Sequence, residues 1–327
     1  MDVRAIFELP IPIWVMCDAL DATYPTGYGA LRFNVLTPRD HLLVGAPPSA
    51  LGLDARPELA DKELVWVQEY GAHIPESLQP ATALHRIALT DVEGPTYDHK
   101  EWFTAEHQLA GCIGGWFNAV RTWAEVVTGQ DLDPNHPIHD VEPVGGGLTF
   151  IEPPNDDALG LTVAISRVFP LRAEQWADIL RSVRDGEEPP LEEVLSRDAR
   201  AAHRRGANRR AIIDAATALE IALGRHVRAQ ADQLPERQRG RLNDRTSLGG
   251  YIGIAGESNL KFAVQIDRLR LLNELRNNAA HLGAAPTSRD TSNAVQVMID
   301  FLGAHGQIRR TGEHEPDGSE WVVVDTA

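Results

Sequence analysis

Cysteine is nearly missing: the chain of 327 residues holds two, Cys17 and Cys112. That excludes a disulfide framework and a four-cysteine zinc site, and it fits a reducing compartment. No run approaches the roughly 18 apolar residues that a membrane span needs, so no membrane partner is expected. The apolar stretch 11–17 is short and broken by Pro12. It lacks a basic leader and a small-residue cleavage site, so it does not read as a signal peptide. The expected location is cytoplasmic. Internal repeats and low-complexity tracts are also missing. So are a nucleophile motif, a cofactor fingerprint and paired acids at informative spacing in the N-terminal part. Gly145-Gly146-Gly147 lacks the spacing, the lysine and the following helix of a phosphate loop, and no cofactor is expected. Asp131, Asp133, His136, His139 and Asp140 offer donors of the kind that hold a divalent ion. Among prolines and an asparagine they also make an ordinary solvated loop, and no metal is expected there.

Positive charge is short overall. Acids outnumber bases 47 to 31, for a net charge of −16, which by itself argues against general nucleic-acid binding. The deficit is uneven. Residues 196–306 carry 17 Lys and Arg against 11 Asp and Glu, while the rest carries 14 against 36. Such asymmetry points to the basic segment as the part that would face a nucleic acid.

What is present divides in two, as the length suggests. The first part is dominated by Val-, Ile-, Phe- and Trp-rich runs bounded by Pro, Gly and Asp, which read as strands. They cover 3–9, 13–18, 29–36, 42–44, 63–70, 82–90, 148–152 and 161–168. Alternation in 30–35 gives one strand a wet face. A helix over 104–128 interrupts them, with Leu109, Ile113, Trp116, Val120, Trp123 and Val127 at three- and four-residue steps and Gly129 as a stop. Trp102, Trp116 and Trp123 are expected in the N-terminal core, and a second helix is expected over 172–184. Asp185-Gly-Glu-Glu-Pro-Pro190 then breaks the chain.

Helical periodicity follows. One long helix is expected over 191–230, then a short one over 248–254, one over 259–281 stopped by Gly283 and Pro286, and one over 288–303. An acidic tail with a strand-like run at 321–324 ends the chain. The fold class is therefore α+β: a strand-rich domain over 1–185, an all-α bundle over 191–306 and a tail over 307–327.

The stretch that carries chemistry is Leu272-Asn-Glu-Leu-Arg276-Asn277-Asn-Ala-Ala-His281, near the end of an amphipathic helix. Arg offers a planar fork to phosphate oxygens. His moves protons near neutrality. On one helix Arg276 and His281 point about 140° apart, while Asn277 and His281 are i, i+4 neighbours. An Asn277 amide could hold the imidazole in one tautomer. The plainer reading is a cation at a helix C-terminus and a capping histidine.

Arg276, Asn277 and His281 in this helical setting resemble the HEPN superfamily, whose signature is an Arg, often a polar residue, then a His four to six positions on. The resemblance covers about a third of the chain. It implies a HEPN-like helical bundle, pairing of two motifs at a homodimer interface, and metal-independent RNA cleavage by the RNA's own 2′-hydroxyl. It also implies a supporting acid on the first helix, either Glu220 or Asp214. Arg204, Arg205, Arg209 and Arg210 could steer RNA phosphates, although along one helix they spread around the axis. The functional expectation is an endoribonuclease of antiphage or toxin–antitoxin type, with RNA as partner. The N-terminal domain would recognise a regulatory protein or ligand. The alternative is a non-catalytic dimerisation or RNA-binding adaptor.

Overall fold

The computed structural model describes residues 3–37, 67–68, 71–72, 81–94, 105–133, 171–281 and 285–308. The chain divides between Glu188 and Pro189 into two compact units. An antiparallel sheet belongs to the first and a helical region to the second, an α+β architecture.

In the first unit, β1 (Val3–Met16), β2 (Thr23–Tyr28), β3 (Leu31–Leu36) and β6 (Ala81–Glu93) form one sheet in the order β1-β6-β3-β2. β4 (Val67–Gln68) and β5 (Gly71–Ala72) pair separately. The alternation expected around β3 is present: Leu31, Phe33 and Val35 are buried and Arg32 is exposed. β1 is one strand where the sequence suggests two. Its register shifts between Glu8 and Ile13, and that irregularity accommodates Pro10 and Pro12, which cannot donate to a ladder. β2 escapes sequence reading because it contains Pro25 and Gly27; it lies at the sheet edge, where proline is tolerated.

Helices α1 (Ala105–Thr128) and α2 (Ala173–Arg184) pack against β2. A polar chain through the core joins all three. Trp116 of α1 is fully buried, meets Phe33 edge-on at 5.4 Å, and donates its indole N–H to Thr26 Oγ1 at 3.0 Å. Thr26 in turn donates to the Leu180 carbonyl of α2 at 2.9 Å. Two buried polar groups are thereby satisfied, and an indole is at home in an apolar core only when its N–H finds such a partner. Trp123 is half-buried and Trp102 lies outside the described residues, as do the strands expected at 42–44, 148–152 and 161–168 and the run 321–324. Of 63–70, only Val67 and Gln68 are described.

The second unit comprises α3 (Leu191–Arg204), α4 (Asn208–Ala229), α5 (Glu236–Arg239), α6 (Leu248–Glu257), α7 (Ile266–His281) and α8 (Ser288–His305). The single long helix expected over 191–230 is instead two. The break is a C-terminal cap: Gly206 takes φ +71°, its N–H bonds the His203 carbonyl, and the Ala207 N–H bonds the Ala202 carbonyl. Asn259 plays the same part after α6, at φ +51°, with the Leu260 N–H on the Ala255 carbonyl. For that reason α7 starts at Ile266 and not near 259. Folding back at Gly206 lets α3 lie along α4, which also touches α6, α7 and α8. Ala211, Ile212, Ala215, Ala218, Leu219, Ala222, Leu223 and Val227 of α4 are fully buried. α8 starts at a capping box of Thr287 and Asp290.

Nothing stands within 4 Å of a Cβ built on Gly206, so Gly206→Ala tests backbone alone. The variant is expected to lose roughly 1–2 kcal/mol of stability in urea unfolding, the cost of a left-handed non-glycine residue. In an unbroken helix the same change would add about 1 kcal/mol.

Candidate functional site

The direction of each helix decides which residues can meet. At one end of the helical unit, Arg225 of α4 pairs with Glu192 at the start of α3 and donates to the His305 carbonyl at the end of α8. His226 contacts Phe262, just before α7, with ring centroids 5.4 Å apart. The other end therefore gathers the end of α3, the start of α4, the end of α7 and the start of α8. There the Asn208 side-chain N–H donates to the Pro286 carbonyl at 3.5 Å.

An open cavity of about 660 Å³ lies at that end, between Gly206–Arg210 with Ile213 on one side and Ala285–Pro286 on the other. Arg204 and Arg205 end α3, and Arg209 and Arg210 begin α4. Along one continuous helix these arginines would point all round the axis. The reversal at Gly206 brings the four to a single hairpin beside the cavity, with Arg205, Arg209 and Arg210 exposed and Arg204 half-buried. No side chain caps the first turn of α4, so the partial positive charge of that helix end adds to the arginines.

His281 is four residues from Ala285, so its Cα lies within about 14 Å of the cavity's rim. It is exposed and makes no hydrogen bond or ion pair among the described residues. Arg276 has a different setting. It lies three or four positions from Leu272 and Ala279 and seven from Leu269, all buried, and is itself half-buried on that inward face. His281 shares its outward face with Leu271, Glu274 and Asn277, all exposed. The two motif residues diverge within one chain. The Asn277 carboxamide oxygen accepts from Arg276 Nη1 at 3.0 Å, so its visible partner is the arginine and not the imidazole.

Of the two acids, Asp214 is the better placed. It follows the cavity-lining Ile213, whereas Glu220 lies about 9 Å further along the axis. Asp214 pairs with Arg210 at 3.2 Å. Burial raises its carboxyl above the usual value, the Arg210 hydrogen bond and charge pull it back, and Asp198 adds to the rise. His203, near the end of α3, is pushed below its ordinary value by burial and by Arg204, with the Asn208 side chain opposing. Sequence reasoning read Pro286 only as a helix stop and passed over Asn208, because nothing local marks two residues 78 positions apart as partners. Asp131 is buried and Asp133 half-buried; His136, His139, Asp140 and Gly145–Gly147 lie outside the described residues.

The raised carboxyl fixes a sign. Asp214's contribution to stability is full below its unfolded-state value, near 3.9, and is lost as pH rises through the raised folded-state value. Asp214→Asn removes that loss. The variant is expected to exceed wild type in urea unfolding at pH 7 and to match it at pH 3; a less stable variant at pH 7 would mean that the Arg210 pair outweighs burial. In comparisons with known proteins, no family model, no curated protein and no solved structure matches this chain.

Proposed function

We propose that the helical unit is HEPN-like and that two copies of the chain form a metal-independent endoribonuclease. The observation that carries this reading is the collection of His281, the four hairpin arginines and the uncapped start of α4 at one end of the unit. Phosphate binding needs cations and N–H donors there, and cleavage needs a proton carrier within reach.

RNA brings its own nucleophile. The 2′-hydroxyl loses its proton to a base and attacks the adjacent phosphorus. The bond from phosphorus to the 5′-oxygen breaks, and that oxygen takes up a proton. The products are a 2′,3′-cyclic phosphate and a 5′-hydroxyl. His281 is the proton carrier. Arg276 stabilises the negative charge on the phosphorane, with Asn277 holding its guanidinium, and Asp214 orients Arg210 at the start of α4. Because Arg276 and His281 diverge on one helix, the composite site takes them from two chains. Arg204, Arg205, Arg209 and Arg210 guide the strand toward it. The setting proposed is the cytosol of a bacterium, in antiphage defence or a toxin–antitoxin pair, with the N-terminal unit recognising a regulatory protein or ligand. The exposed His281, with no hydrogen bond to fix its tautomer among the described residues, favours a second reading: an RNA-binding adaptor that does not cut.

Wild type and His281→Ala, compared in EDTA on a broad RNA set, separate the two. Cleavage with cyclic phosphate ends is expected from wild type, falling by at least about 100-fold in the variant. An RNA affinity shared by both without cleavage would favour the adaptor, and equal cleavage would remove His281 from the mechanism. Independently, Arg209→Ala/Arg210→Ala is expected to make the salt dependence of single-stranded RNA binding shallower by about 1.4 log units per log unit of salt, two phosphate contacts' worth. An unchanged slope would take the hairpin out of the binding surface.

A further inference from the structure

The end of the helical unit away from the cavity holds an aromatic cluster with two histidines in it. The rings of His226 on α4 and His305 on α8 have centroids 4.4 Å apart. Phe301 lies 4.8 Å from His305, and Phe262 lies 5.4 Å from His226. His305 offers its Nε2 as an acceptor: the Ala263 N–H donates to it at 3.3 Å. The Gln230 side-chain amide lies 2.6 Å from His226 Nε2, a contact whose direction follows the tautomer of the ring. An imidazolium has N–H at both positions and accepts nothing, so the Ala263 contact requires a neutral His305.

We propose that His226 and His305 form a proton-released latch. While neutral, the pair holds the end of α8 and the segment Phe262–Ala263, which leads into α7, onto the end of α4. A proton on either ring opens it.

Three effects act together. A proton on His305 Nε2 would face the Ala263 N–H, donor against donor. Two imidazoliums at this separation repel each other strongly. The apolar phenylalanines and half-burial penalise charge on either ring. The surrounding groups do not reverse this. On α4, Arg225 beside His226 disfavours a further cation. On α3, Glu192 is engaged by Arg225 and Gln307, and Glu193 lies beside Gly306. Between α7 and α8, Arg268 and Asp300 pair with each other at 2.8 Å. Lys261, before Phe262, is exposed.

Burial holds both imidazoles below their ordinary value, with Arg225 adding at His226 and His226 adding at His305. A depressed histidine stabilises the closed form fully above its value in the open chain, near 6.5. That contribution declines as pH falls below this value toward the folded-state values. The latch sits at the far end of the helix that carries Arg276 and His281, and it does not depend on RNA being cleaved.

Two measurements on the full chain test it. In wild type, the His226 and His305 ring protons, followed by NMR, are expected to titrate below about 6.5. Hydrogen exchange at the Ala263 amide, referred to Leu219 in the core of α4, is expected to quicken with falling pH by up to about tenfold per pH unit for each imidazole. His226→Phe/His305→Phe keeps Arg225, Glu192 and Glu193, so any pH dependence they carry would survive in it. The expected result is that the dependence at Ala263 disappears. Its persistence in the variant would overturn the latch. Should the variant not fold, wild type alone decides: either ring titrating at or above 6.5, or exchange at Ala263 that ignores pH, would overturn it.

Discussion

At Gly206 the chain leaves one helix and enters another within three residues, and a left-handed backbone makes so tight a reversal possible. Much else in the helical unit follows from it. With α3 folded back, α4 gains a partner along its length and can bury an almost unbroken face of Ala, Ile, Leu and Val. A helix buried on so many sides carries little charge along its middle: Glu220 stands there alone on α4, while Arg209, Arg210 and Asp214 stand nearer one end and Arg225, His226 and Arg228 nearer the other. The reversal also moves Arg204 and Arg205 from mid-helix positions to the same hairpin as Arg209 and Arg210. Charge that would have been dispersed becomes local.

The two ends of the unit consequently differ in kind. At the hairpin end, cations are exposed, the first turn of α4 is uncapped, and a cavity opens to solvent. Exposed cations and free helix N–H groups give that end a positive potential that attracts anions. At the other end, the ionisable groups are engaged. Glu192 is 3% exposed and meets Arg225, and two imidazoles lie tilted against each other among phenylalanines. Positive charge added to either ring there meets Arg225 and the phenylalanine faces at close range. α7 spans the distance between these environments, so its two ends answer to opposite chemistry.

Much of the fold was legible in the sequence. Period-3.6 spacing marked α1, and Gly129 at φ +78° ends it as expected. Thr287 with Asp290 three positions on is a local cap signal, and α8 starts there. What was not legible depends on context. Gly206 lies in an alanine- and arginine-rich run whose helical propensity is high on both sides, so one glycine reads as a tolerated interruption. Asn259 is an ordinary polar residue until its backbone is seen to be left-handed. β2 has a proline and a glycine among six residues, and only its place at a sheet edge reconciles it with a strand. For the candidate site, the helical angle separating Arg276 and His281 could be worked out in advance. The gathering of four arginines could not, because it depends on the turn that was missed.

That angle imposes a further condition on any catalytic use of the motif. Arg276 leaves α7 on the side of Leu269, Leu272 and Ala279, while its guanidinium reaches the exposed Asn277. Turning the whole helix would uncover Leu269 and Leu272 without changing the angle between Arg276 and His281, which the helix itself fixes. A phosphate touched by both must reach between different faces of α7, or touch the arginine of one chain and the histidine of another. The outward face offers Leu271, 48% exposed, together with Glu274 and Asn277 beside His281. One exposed leucine among polar side chains is ordinary protein surface, so the geometry that bears on these two routes is the angle between Arg276 and His281 and not an apolar patch on α7.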